Sequence, residues 1–260
     1  MVSQHVAVLI FLFVAAISTM FSTSQAWAET PVGSNVDTRF VVALRVAEAE
    51  LQKWLPAPWQ LSPPATGPSK DANLNVIFVD RLLNLDADGK PAGGGTYRVV
   101  ALSVPAKNPQ TGESAPFSIR IFAGDPQALP GPYKTSVLAT VKREQTLSGA
   151  NLEPGVGEEA WEARDAAGGM IALRVRYQRA VPSRVKVEAR PHSAIEPSFF
   201  RIYRVDQGVD VLKSVPTGVD RVQAYSLRVT VAELGKLFDG SEQLVSLSAV
   251  PFYLRQTSLP

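Results

Sequence analysis

The sequence predicts a mainly β protein, a β-rich α+β chain forming a large antiparallel barrel or sandwich with two or three short helices. Three observations predict it. Apolar and polar residues alternate with period two in segment after segment. Turns rich in Gly, Pro and Asp separate runs of about 8–10 residues. Only two short stretches carry helical spacing.

The first element is a leader. Residues 6–20 form a largely apolar run, too short for a comfortable membrane span. Ala26-Trp27-Ala28 then places small residues where signal peptidase requires them. Residues 1–28 therefore read as a signal peptide cleaved before Glu29, and residues 29–260 as a single domain, periplasmic or secreted. The leader's start has no Lys or Arg, which leaves an uncleaved anchor as the alternative. No later segment is apolar enough to span a bilayer.

Two strand-into-helix units follow the same grammar. "ALRVAEAELQKWL" (residues 43–55) aligns without gaps to "SLRVTVAELGKLF" (residues 226–238). Leu51, Trp54 and Leu55 share one helix face, as do Leu234, Leu237 and Phe238. Pro56 and Gly240 are natural stops. One reading is a common grammar met twice; the other is two helices covering similar places on the sheet. Residues 56–70, with five prolines, read as a surface loop.

The strands come next. "LNVIFVDRLL" and "TYRVVALSV" are almost continuously apolar, as strands buried on both faces are. "APFSIRIF" sets Phe117, Ile119 and Ile121 against Ser118 and Arg120. "MIALRVRYQ" puts Ile171, Leu173, Val175 and Tyr177 on one face, with Arg174 and Arg176 on the other. "SRVKVEAR" repeats this with Val185, Val187 and Ala189 against Arg184, Lys186, Glu188 and Arg190. The last two are expected to form a hairpin that gathers its basic residues on one face.

Composition excludes several chemistries. The chain has no cysteine, so disulfides, thiolate catalysis, Cys-ligated zinc and iron–sulfur clusters are out. Of two histidines, His5 lies in the leader and His192 in a probable exposed loop, so no His-rich metal site can form within the mature chain. No metal and no cofactor are implied. A net charge of +2 is too mild to suggest nucleic acid. No Gly-x-Ser-x-Gly elbow and no phosphate-cradling loop is present. Glu158, Glu159 and Glu162 beside Trp161 read either as an acid/base group or as a charged loop or strand edge.

The order of elements resembles the acetoacetate decarboxylase-like superfamily. The resemblance runs over residues 36–177: a strand into "AEAELQKWLPAPWQL", then "NVIFVDRL", "YRVVALSVPAK", "APFSIRIFAGD" and "GPYKTSVLATVKRE". It implies an antiparallel double-cone sheet with a pocket inside a closed barrel, a small organic acid or carbonyl compound as ligand, and in many members an oligomer. In the family, a Gly-aromatic-Pro-Lys-Lys turn supplies a Schiff-base lysine. Gly131-Pro132-Tyr133-Lys134-Thr135 occupies the corresponding place, with Pro and aromatic exchanged and Thr135 where the second lysine stands.

Lys134 is thus the candidate catalytic residue, a carbon–carbon lyase nucleophile forming an iminium with its substrate. An amine nucleophile needs shelter from water or a neighbouring cation. Tyr133, Arg174 and Arg176 are the candidate substrate-binding residues, the arginines because guanidinium forks match carboxylates. The alternatives are a solvated surface lysine, the wet face of an amphipathic sheet, and a non-catalytic binding or envelope-interaction protein.

Overall fold

A computed structural model describes residues 29–125, 129–151 and 153–260. The leader lies outside the described residues. Fourteen strands run through the described residues. They are β1 (Thr30–Arg45), β2 (Gln60–Leu61), β3 (Leu74–Asp86), β4 (Tyr97–Lys107), β5 (Ser114–Ala123), β6 (Ser136–Ser148) and β7 (Val156–Asp165). Then come β8 (Met170–Gln178), β9 (Ser183–Ala189), β10 (His192–Ser193), β11 (Ile202–Ser214), β12 (Val219–Asp220), β13 (Val222–Val229) and β14 (Gln243–Leu259).

All belong to one sheet, ordered β12-β11-β14-β1-β3-β4-β5-β6-β7-β8-β13, with β2, β9 and β10 paired alongside β4, β11 and β5. The expected closed barrel is not formed, because β12 and β13 end the path without pairing to each other. Nor is the sheet purely antiparallel: β5 runs parallel to both β6 and β10.

The sheet curls instead of closing. Phe40 of β1 meets Tyr177 of β8 at 5.5 Å between ring centroids, and Phe78 of β3 meets Trp161 of β7 at 5.6 Å. Strands far apart in the sheet order therefore face each other across a common core. Val42, Leu44, Val76, Val100, Leu102, Phe117 and Leu173 fill that core. Each such side chain contributes about 1.5–3 kcal/mol by leaving water.

The two strand-into-helix units are present. β1 leads into a short α-helix, α1 (Glu48–Gln52), and β13 into a 3-10 turn (Ala232–Leu234). Leu51 and Leu55 from the first, and Leu234 and Leu237 from the second, enter the same core. Arg120 joins them: it donates to Glu233 at 2.5 Å and its guanidinium lies 5.6 Å from the Trp54 ring centroid. The paired motifs thus sit against one another, each plugging the core with its apolar face.

Three local expectations change. β8 pairs with β7 and β13, whereas β9 pairs with β11, so the two basic strands form no hairpin. β9 has no surface to cover its apolar side, and Val185 and Val187 stay exposed. Glu159 is buried in mid-strand on β7, not at a loop or edge.

Candidate functional site

Lys134 and Tyr133 leave the same turn in different directions. Lys134 adopts φ 56°, in the left-handed region, and its N–H donates to Gly131 O at 3.0 Å. Its side chain is 54% exposed, with Nζ 2.7 Å from a carboxylate oxygen of Glu196. The neighbouring charge is therefore an anion, and the amine stands largely in water. Thr135 is buried, its hydroxyl 3.3 Å from that of Ser118. Tyr133 turns inward. Ser193 Oγ donates to its carbonyl at 2.5 Å, and Phe199 packs edge-on against its ring at 5.7 Å.

Arg174 and Arg176 lie elsewhere, exposed on β8. Arg176 bonds Gln223 at 3.0 Å and approaches Glu158 at 3.4 Å. Arg174 lines an open groove of about 470 Å³ with Lys142, Arg164 and Arg228. The structure does not bring these arginines to Tyr133.

Tyr133 instead meets Tyr203 of β11, beside Arg255 of β14, at the edge of a cluster that β1 and β3 complete. Strand register sets Gln207, Tyr253, Asp37, Arg81 and Tyr97 in one cross-strand row. The next row holds Val205, Arg255, Asn35 and Asn84. Arg39, two residues along β1 from Asp37, shares its face and joins the same cluster.

Asp37 is fully buried. It accepts from Arg39 Nη2 at 2.6 Å, Arg81 Nε at 2.9 Å and Asn35 Nδ2 at 2.7 Å. Burial pushes its carboxyl up, but Arg39 and Arg81 outweigh burial and hold it below the usual carboxylate range. Arg39 also lies 3.3 Å over the Tyr253 ring, and Arg81 reaches the Tyr97 hydroxyl.

Beyond Asp37 the charge is uneven. Arg255 lies 4.0 Å over the Tyr203 ring. Arg201 stands close enough to act on the same phenol. The Nε atoms of both arginines are buried without a hydrogen-bond partner among the described residues. Two guanidiniums thus hold Asp37, while those of Arg255 and Arg201 stand at the phenols. A buried polar group without a partner is expensive, and a buried charge more so.

The two phenols are coupled. Tyr133 and Tyr203 have their oxygens 2.5 Å apart. Burial and then the neighbouring Tyr203 push the Tyr133 phenol up. Burial acts the same way on Tyr203, but Arg255, the hydrogen bond from Tyr133, Arg201 and Arg81 outweigh it and hold Tyr203 below its ordinary value. Either hydroxyl can donate to the other, and the opposite shifts favour Tyr133 as the donor.

No protein-family model matches the sequence, and no curated protein does. Solved structures match along nearly the whole chain. The enduracididine biosynthesis enzyme MppR complexed with pyruvate aligns at TM-score 0.57 and 12% identity, over 90% of this chain and 91% of its own. An acetoacetate decarboxylase-like enzyme from Sphingomonas wittichii RW1 aligns at TM-score 0.56 and 12% identity, over 93% and 97%. Acetoacetate decarboxylase from Legionella pneumophila aligns at TM-score 0.52 and 13% identity, over 89% and 88%.

The chain has an acetoacetate decarboxylase-like fold. Within this fold, a second polar cluster contrasts with the first. Arg143 of β6 donates to Asp80 of β3 at 3.0 Å and to both oxygens of Glu159 of β7, at 2.9 and 2.8 Å. It also reaches Thr38 Oγ1 at 2.6 Å. Arg98 pairs with Asp80 at 3.1 Å, and Trp161 Nε1 donates to Glu159 at 3.1 Å. Here anions and cations balance, and the cluster ties β3 to β6 and β7 across the core.

His192 is also not the exposed loop residue expected. It is buried, stacked on Phe117 at 5.3 Å and Phe200 at 4.9 Å, with Nδ1 2.8 Å from Pro197 O. Sequence reading missed Asp37, Arg39, Arg81, Arg201, Tyr203 and Arg255. One signal was present: Asp80-Arg81 interrupts the long apolar run of β3, where a strand buried on both faces has no use for ions unless they are paired.

Proposed function

We propose that this acetoacetate decarboxylase-like protein binds a small organic acid, whose carboxylate sits between the guanidiniums of Arg255 and Arg201. The two buried, unpartnered Nε atoms carry this reading. A carboxylate supplies two acceptor oxygens in the plane a guanidinium fork prefers. Tyr133 and Tyr203 border the same place and give it hydroxyl groups that a carbonyl or hydroxyl could meet. The similar MppR structure holds pyruvate, which makes a 2-oxo acid the first ligand to try.

The binding is non-covalent in this reading. Iminium chemistry asks for a sheltered amine, and no lysine among the described residues is buried. Lys134 has Glu196 beside its amine rather than a second cation. The protein is exported to the periplasm or medium, as Ala26-Trp27-Ala28 suggests.

Calorimetric titration with pyruvate should give saturable binding, unchanged in Lys134→Ala. Borohydride reduction of the mixture should leave the protein mass unaltered, and the same spectrum should show a chain beginning at Glu29. A pyruvate-sized mass increase mapped to Lys134 would restore the Schiff-base reading. Retention of residues 1–28 would remove the export claim.

A further inference from the structure

Tyr203 combines three features that carboxylate binding alone does not use. Its oxygen lies 2.5 Å from that of Tyr133, a short hydrogen bond between the two phenols. A guanidinium covers its ring, 4.0 Å from the centroid. Its side chain is not sealed in the core, since the residue is only half-buried while Tyr133 is fully so. The charged and titratable groups acting on it are Arg255 from β14, Arg201 ahead of β11, Arg81 from β3 and Tyr133. Every one of them is a cation or a hydrogen-bond donor.

We infer that Tyr203 is a general base that removes a proton from the carbon next to the carbonyl of a bound 2-oxo acid. This inference rests on the carboxylate site proposed above and adds a reaction to it. The Tyr203 phenolate takes the proton. The C–H electron pair becomes the carbon–carbon double bond, and the carbonyl π pair moves onto oxygen. Arg255 and Arg201, already at hand for the carboxylate, offset the charge of the resulting enolate. Return of a proton from Tyr203 to carbon regenerates the oxo acid, so no oxidant, reductant or second substrate is consumed. In heavy water the phenol exchanges with solvent, and the returned particle is a deuteron. Tyr133 is a positioning residue: its hydrogen bond to Tyr203 favours the phenolate.

The test is proton NMR of pyruvate in deuterium oxide with the full mature chain. The methyl signal should decay with wild-type protein faster than with buffer. Tyr203→Phe should slow the decay by about 10²-fold or more at saturating pyruvate. Tyr133→Phe should move the midpoint of the pH profile upward, because Tyr203 loses the hydrogen bond that favours its anion. Pyruvate binding without exchange above buffer would overturn the base assignment and leave the binding site standing. Exchange undiminished in Tyr203→Phe would also overturn it. Failure of pyruvate to bind at all would sink the site and the reaction together.

Discussion

Arg143→Met is expected to destabilise the protein by about 3–5 kcal/mol, because it leaves buried Glu159 without its counter-ion and Asp80 with only the half-exposed Arg98. Asp80 and Glu159 are 13% and 1% exposed at the side chain, and Arg143 itself is 9% exposed. Burial lowers the Arg143 pKa, but Glu159 and Asp80 outweigh burial and the net shift is upward, so the charge is secure. Methionine keeps the aliphatic length and removes only the guanidinium, which bridges β3 to β6 and β7. Urea unfolding followed by circular dichroism measures the loss, provided that the transition is two-state. Adding Asp80→Asn and Glu159→Gln should recover part of the stability, since neutral amides are cheaper to bury than orphaned anions. A loss below about 1 kcal/mol would mean that the cluster is hydrated and contributes little.

The same substitution at Arg255 should act chiefly on binding. Arg255→Met is expected to weaken pyruvate binding by about 10–100-fold, the equivalent of one charge-assisted hydrogen bond of about 1.5–3 kcal/mol. The loss of stability should be smaller than in Arg143→Met. Arg143 is hydrogen-bonded to two carboxylates, whereas Arg255 has a buried Nε with no acceptor among the described residues and keeps the Tyr203 ring and the charge of Asp37 as partners. Calorimetric titration and urea unfolding on one preparation read both quantities. A variant that binds normally, or that unfolds as readily as Arg143→Met, would show that Arg255 is structural.

The contrast between these arginines also shows where sequence reading stops. Period-two alternation located the buried face of β8, because a half-buried strand must alternate; at β5 it held for Phe117 and Ile119 but not for Ile121, since a bulge in the β4–β5 ladder breaks the alternation and Phe122 is buried instead. The same pattern misled at β9. Alternation says that a strand could cover something, not that a partner surface exists, and Val185 and Val187 remain exposed. The turn before β6 was legible from its Gly and Pro residues, yet the directions taken by Tyr133 and Lys134 depend on one left-handed residue. His192 is buried by rings from three separate stretches, Trp59, Phe117 and Phe200, whose meeting follows from topology. The arginine–tyrosine cluster depends on the register of four strands, and a one-residue slip in any of them would send its side chain to the opposite face. The resemblance read from element order matches the fold, but whether the sheet closed depended on terminal strands that it did not specify.

A crystal structure of the protein grown with pyruvate tests the central claim most directly. The account predicts the carboxylate within hydrogen-bonding distance of the Arg255 and Arg201 guanidiniums, with the carbonyl carbon unbonded to any lysine. Pyruvate linked to Lys134, or lying in the outer groove beside Arg174 with Arg255 and Arg201 still unpartnered, would contradict it.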